Sequence, residues 1–130
     1  MNPVRILVTG TRKNGAPIRE RVFERLDSLV ISEGFPLHRP IIVVHGKCPY
    51  GGVDKYADDW ATDRGHMVER HPAAWARYGK RAGGMRNQEM VDAGADYCIG
   101  FPAPGSRGTW DCLQRATDAL IPVQVHPIFV

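Results

Sequence analysis

Residues 97–110, YCIGFPAPGSRGTW, decide how the rest of the chain is read. Tyr97, Cys98, Ile99, Gly100 and Phe101 form a short apolar run, the pattern of a strand buried on both faces of a parallel sheet. Seven residues of Pro, Ala, Gly, Ser and Arg then intervene before a helix that the sequence predicts over 109–120. A plain connection does not need so much glycine and proline. Gly105 and Gly108 permit tight turns and close approach to the backbone, and Ser106 lies between them. Thr109 can cap the helix and offer a hydroxyl to a phosphate.

The same strand, glycine turn and helix recur upstream. Val4 to Thr9 reads as a buried strand ended by Gly10, Thr11, Arg12, Lys13, Asn14 and Gly15. Ile18, Val22, Leu26, Leu29 and Val30 then repeat at helical spacing, with Pro17 suited to the first turn and Gly34 to the stop. Ile41 to His45 is a second strand closed by Gly46, and a helix follows from Val53 to Arg64. Met67 to Arg70 is a third strand. Residues 71–84 read as irregular and basic, after which Met85, Met90 and Ala93 mark a helix ending at Gly94. A fifth strand covers Val123 to His126.

Strands alternating with helices imply an α/β fold, a Rossmann-like three-layer sandwich with a mostly parallel five-stranded sheet of order 3-2-1-4-5. Composition bounds this reading. The 130 residues, 43% hydrophobic and 24% charged, suit one domain spanning 1–130. The longest aliphatic run, Ile41 to Val44, is too short for a bilayer span or a signal core, so a soluble, cytoplasmic protein with no membrane partner is expected. Cys48, Cys98 and Cys112 lack paired spacing, which excludes a disulfide framework and a cysteine zinc site. His38, His45, His66, His71 and His126 are scattered, so no metal and no cofactor is expected.

Net charge of +3 says little, but its distribution says more. In a parallel sheet, every strand-to-helix loop emerges at the carboxyl edge, where open α/β sheets bind ligands. Residues 10–18, 46–53, 72–87 and 101–109 hold Arg12, Lys13, Lys47, Arg77, Lys80, Arg81, Arg86 and Arg107, and none of the 14 acids. One edge of the sheet is therefore positive and selects an anionic ligand. Three further elements join the 105–109 turn. Arg86 and Asn87 fall in the first turn of the third helix, as a clamp. Gly46, Gly52 and Asp54 flank the second loop, with Asp54 either capping its helix or accepting from a ribose hydroxyl. Gly10, Thr11 and Arg12 form one wall, without the G-x-G-x-x-G spacing of a dinucleotide fingerprint.

Four segments, VTGTR at 8–12, VVHGKCPYGGVDKYADDWA at 43–61, AAWARYGKRAGGMRNQEMV at 73–91 and ADYCIGFPAPGSRGTWD at 95–111, together resemble the SLOG superfamily. The resemblance is to the YspA-type cpYpsA-related SLOG family, common in bacteria and their phages. It implies a Rossmann-like domain that binds a nucleotide or a nucleotide-derived ligand, phosphoribosyl or ADP-ribose-like, as a sensor or sequestering module. It also implies a homodimer, for which Trp60 or Met85 and Met90 offer apolar side chains.

Cytokinin-activating phosphoribohydrolases of the superfamily carry P-G-G-x-G-T-x-x-E, with an upstream arginine and a methionine on one helix. Pro104, Gly105, Gly108 and Thr109 are similar to that loop, and Arg86 and Met90 to that pair. Ser106 replaces the second glycine, and Cys112 stands where the hydrolase has glutamate. N-glycoside cleavage calls for a carboxylate near the anomeric carbon. Asp111 is one residue early, about 100° around the helix. Hydrolysis through Arg86 and Asp111 is thus an alternative to binding, and a single-stranded DNA groove, by analogy with DNA-processing protein A, is a second. Trp110, Cys112, Leu113, Ala116 and Leu120 make the expected buried stripe. Cys48, in a glycine-proline loop beside Lys47, is the candidate reactive thiol, while Trp75 and Tyr78 lie where they can stack a base.

Overall fold

The computed structural model describes residues 2–34 and 39–129. Five strands, β1 (Val4–Gly10), β2 (Ile41–His45), β3 (Met67–Arg70), β4 (Tyr97–Phe101) and β5 (Val123–Val125), form one sheet in the order β3-β2-β1-β4-β5. All four pairings are parallel, with Leu7 beside both Val44 and Cys98 at its centre. The helices are α1 (Ala16–Ser32), α2 (Gly52–Asp63), α3 (Trp75–Tyr78), α4 (Ala82–Ala93) and α5 (Arg107–Asp118). A 3-10 turn at Gly79–Arg81 joins α3 to α4.

Alternation along β1 divides the core. Val4, Ile6 and Val8 pack with Ile18, Val22, Leu26 and Leu29 of α1 and with Val53, Ala57 and Trp60 of α2. Leu7 points to the other face and joins Met90 and Val91 of α4 and Cys112, Leu113 and Ala116 of α5. A strand displays successive side chains on opposite faces, so one aliphatic run serves both layers. This is the Rossmann-like sandwich expected from the sequence. Two glycines bring helices unusually close: a Cβ on Gly10 would lie 2.6 Å from Val53, and one on Gly100 would lie 2.7 Å from Leu113.

Several local expectations need correction. The third long helix begins at Ala82, three residues before Met85, so Arg86 falls in its second turn. The segment 71–84 is not all irregular, because α3 and the 3-10 turn occupy it. Helix α5 starts at Arg107 and ends at Asp118, and β5 ends at Val125. The stripe on α5 consists of Thr109, Cys112, Leu113 and Ala116. Trp110 is 51% exposed and Leu120, beyond the helix at φ 63, is 90% exposed. Trp60 and Met90 are buried in this chain's own core, which removes them from any dimer face. His38 lies outside the described residues. No described helix is long and apolar enough to cross a membrane.

Candidate functional site

Strand order reverses beside β1, since chain progress runs from β1 to β2 and β3 on one side and to β4 and β5 on the other. The loops after β1 and β4 meet there, with the Thr11 N–H donating to the Phe101 carbonyl at 2.9 Å. The loops after β1 and β2 are stitched by Asn14. Its carbonyl oxygen accepts from the Gly52 N–H at 2.9 Å, and its amide donates to the Tyr50 carbonyl at 2.9 Å. Gly52, at φ 63, lets its backbone nest against that of Thr11 and Arg12, and Val53 N–H donates to the Thr11 carbonyl at 3.0 Å. A side chain at Gly52 would part the two loops.

Between these loops opens a cavity of about 760 Å³, within the usual size range of small-molecule sites. Gly10, Thr11, Arg12, Gly46, Asp54, Arg86, Asn87, Gly105, Ser106, Gly108 and Thr109 all line it. Gly52 does not; it is buried at the junction just described. Four of the eight basic loop residues, Arg12, Lys13, Arg86 and Arg107, reach the lining. Lys47, Arg77, Lys80 and Arg81 are exposed on the same edge but outside it. Asp54 is the one carboxyl in the lining among the described residues.

The 103–109 turn has an unusual backbone. The Ser106 hydroxyl accepts from the Ala103 N–H at 2.9 Å, and the Ser106 N–H donates to the Ala103 carbonyl at 3.0 Å. Gly105 takes φ 81, a left-handed conformation suited to glycine. The turn passes straight into α5, which places Thr109 inside the first turn, so the expected Thr109 cap does not form. Thr109 is instead 4% exposed and lines the cavity, its hydroxyl without a protein partner among the described residues. The Gly105, Gly108 and Thr109 N–H groups likewise have no protein acceptor there. Those of Gly108 and Thr109 are first-turn donors that a helix cannot pair internally.

Arg86 and Asn87 differ in their freedom. Arg86 donates from Nε to the Asn87 side chain at 3.0 Å, from Nη1 to the Gly46 carbonyl, and from Nη1 to the His71 carbonyl at 3.5 Å. Its protein partners are neutral oxygens, with no ion pair among the described residues. Asn87 is buried, and its amide donates to the Gly108 carbonyl at 3.2 Å and to Asp111 at 3.0 Å. Both amide protons are thereby committed, so Asn87 positions Arg86 and the 105–109 turn more than it offers donors to a ligand.

Asp54 neither caps α2 nor stands free. It lies in the helix's first turn and accepts from the Cys48 N–H at 3.1 Å, holding the preceding loop. Burial pushes its carboxyl above the ordinary range, against the opposing pull of His45, Arg86 and the Cys48 and Gly46 backbone. Beneath it, His45 accepts from the Lys47 N–H through Nδ1 at 2.9 Å and turns Nε2 to Asp58 at 2.7 Å. The ring proton therefore sits on Nε2, and the pair fixes the base of the second loop.

The hydrolase-like residues are placed elsewhere. Asp111 does not line the cavity; it pairs with Arg115 at 2.8 Å in the crease between α4 and α5. Burial raises its carboxyl, but hydrogen bonds from Arg115 and Asn87 outweigh that and hold it below the ordinary range. Cys112 is fully buried in the core beside Cys98, whose thiol is pushed up by a hydrogen bond to Cys112 and by burial. Cys48 lines the cavity. Among the described residues no three His, Cys, Asp or Glu side chains are grouped to hold a metal ion.

Sequence reasoning missed several lining residues. Lys13 and Arg107 entered only the charge count, and Tyr50 carries no periodic signal. Trp75 lines the cavity as the base-stacking expectation requires, but Tyr78 does not; it receives the Arg77 guanidinium 5.1 Å from its ring centroid.

A doubly wound parallel sheet with a basic, glycine-walled cavity at its switch point places the chain in the Rossmann-like α/β class. Residues 4–78 match the YspA, cpYpsA-related SLOG family, and the chain belongs to that family. The chain is also 39% identical over 127 residues to the Gene 61 protein of Mycobacterium phage D29, an alignment covering 92% of this chain and 93% of that one. No solved structure matches it. The family match includes the first two loops of the cavity, while Arg86 and the 105–109 turn lie beyond it.

Proposed function

We propose that this protein binds the phosphate and ribose of a nucleotide or nucleotide-derived ligand, phosphoribosyl or ADP-ribose-like, as a sensor or sequestering module. The observation that carries the reading is the 105–109 turn. It gathers three N–H groups without a protein acceptor among the described residues, the hydroxyl of the buried residue Thr109, and Arg107 on a cavity that Arg86 also lines. A helix N-terminus favours an anion by about 0.3–1 kcal/mol. A charge-assisted hydrogen bond adds about 1.5–3 kcal/mol, so a few together approach the roughly 8 kcal/mol of micromolar binding. Asp54 accepts from a ribose hydroxyl in this reading, and Asn87 acts through Arg86.

The placement of Asp111 outside the cavity and of Cys112 in the core supports binding over N-glycoside cleavage. Calorimetry against a panel of nucleoside mono- and diphosphates tests the proposal, with Arg86→Ala and Thr109→Val expected to weaken binding about tenfold or more. Absence of heat with every member overturns it. Affinity that instead rises with oligonucleotide length and falls steeply with salt favours a single-stranded DNA groove along Lys47, Arg77, Lys80 and Arg81.

A further inference from the structure

Trp75 is an expensive residue to leave in water, yet it is 48% exposed, whereas Trp60 is 1% exposed in the core. It sits on α3, and neither α3 nor the following 3-10 turn buries any residue. Stability of the sheet does not account for an indole there. Its placement is nonetheless specific. A Cβ on Gly83 would approach the Trp75 ring to 3.0 Å, so the bare backbone of α4 gives the indole a seat, and the ring lines the cavity.

A second planar group lies on the next loop. Tyr50 is 65% exposed, also lines the cavity, and carries the Arg12 guanidinium 5.1 Å from its ring centroid. Trp75 follows β3 and Tyr50 follows β2, while the phosphate-binding turn follows β4. In the order β3-β2-β1-β4 these loops stand three strand spacings apart at the extremes, roughly 14 Å at about 4.8 Å per spacing. That distance leaves room for a sugar between an anion at one end and a flat, uncharged group at the other. Exposed aromatic faces and an arginine plane are what stack on a base.

We infer that Trp75, with the Tyr50–Arg12 pair, forms a stacking subsite for the nucleobase, so the ligand is a base-bearing nucleotide and not a bare sugar phosphate. This rests on the phosphate seat proposed above. The subsite recognises the face of the base, so several bases are accepted with graded affinity.

The test measures binding of AMP, GMP, UMP and ribose 5-phosphate to the full chain by calorimetry. Indole emission is followed in parallel in a Trp110→Phe background, because Trp110 lies outside the cavity. At least one nucleotide is expected to bind about tenfold more tightly than ribose 5-phosphate and to quench emission; Trp75→Ala abolishes both effects while leaving ribose 5-phosphate affinity unchanged. Trp75→Phe, which keeps an aromatic face, is expected to retain most of the preference. Equal affinity for all four compounds, insensitive to Trp75→Ala, overturns the subsite and leaves the phosphate seat standing. Failure of every compound, ribose 5-phosphate included, overturns the seat and the subsite together. Circular dichroism of each variant separates lost stacking from lost folding.

Discussion

Arg86 rests its guanidinium on the carbonyl of Gly46, forty residues earlier, and the space it occupies is the space a Gly46 side chain would take. The contact joins α4 to the end of β2 and sets the direction of the guanidinium that lines the cavity. The clash a Cβ would create falls on the flexible far end of an arginine, so the strain is relieved by moving the cavity-lining guanidinium instead of the backbone.

Gly46→Ala is therefore expected to change stability little, within about 1 kcal/mol, while displacing Arg86 and weakening nucleotide binding to the extent of Arg86→Ala. Urea unfolding together with calorimetry checks this. A variant that loses several kcal/mol of stability, or keeps full affinity, contradicts it.

Gly10 presents the opposite case. A Cβ there would meet all three side-chain carbons of Val53 at 2.6–2.7 Å. Val53 is branched, fully buried and fixed on α2, so it cannot swing aside. Gly10→Ala should lose about 1–3 kcal/mol in urea unfolding, the range for overpacking a dense core. The paired variant Gly10→Ala, Val53→Ala should recover part of the overpacking loss relative to Val53→Ala alone, which double-mutant analysis reads directly.

His71 makes part of the stability pH-dependent. Nε2 lies 2.7 Å from Glu69 and Nδ1 2.5 Å from Glu89, while Arg5 grips Glu69 from the other side. Burial pulls the imidazole down from its ordinary 6.5, but the hydrogen bonds and charges of Glu69 and Glu89 outweigh it and raise it. A group raised in the folded state stabilises fully below its unfolded value and loses that contribution as pH rises through the folded value. The stability gap between the native chain and His71→Gln should be wide near pH 5.5 and narrow near pH 8.5. Glu69, held at about 2 mainly by Arg5 and then His71, stays ionised across that window; its own contribution fades only as pH falls from about 4.5 toward about 2. Urea midpoints for both chains at each pH provide the check, and a constant gap contradicts the assignment.

Much of the architecture was legible because burial imposes a period on sequence. Ile18, Val22, Leu26 and Leu29 repeat as a helix facing a core must, and all four are buried. Glycine carried a weaker message. Gly83 and Gly84 read as the end of an irregular segment, whereas α4 runs through both. Their small size serves packing: a Cβ on Gly83 meets Trp75, and one on Gly84 comes within 3.2 Å of Arg115. Trp110 and Leu120 fit the apolar stripe of α5 by spacing but stand exposed, because the helix stops at Asp118 and a helix's rim is set by its neighbours.

By itself, the sequence determined the alternation of strands and helices, the positive edge, and which loops carry glycine, since each follows from a local pattern of side chains. Tertiary structure decided which donors remain unpaired. Asn87 and Asp111 are spent on each other, Cys112 is sealed in the core, and Thr109 keeps in the cavity a hydroxyl without a protein partner among the described residues. Those assignments depend on partners distant along the chain, such as Gly108 and Asp111, 21 and 24 residues from Asn87. A hydrogen bond is satisfied by whatever group folding brings near, which no local pattern records.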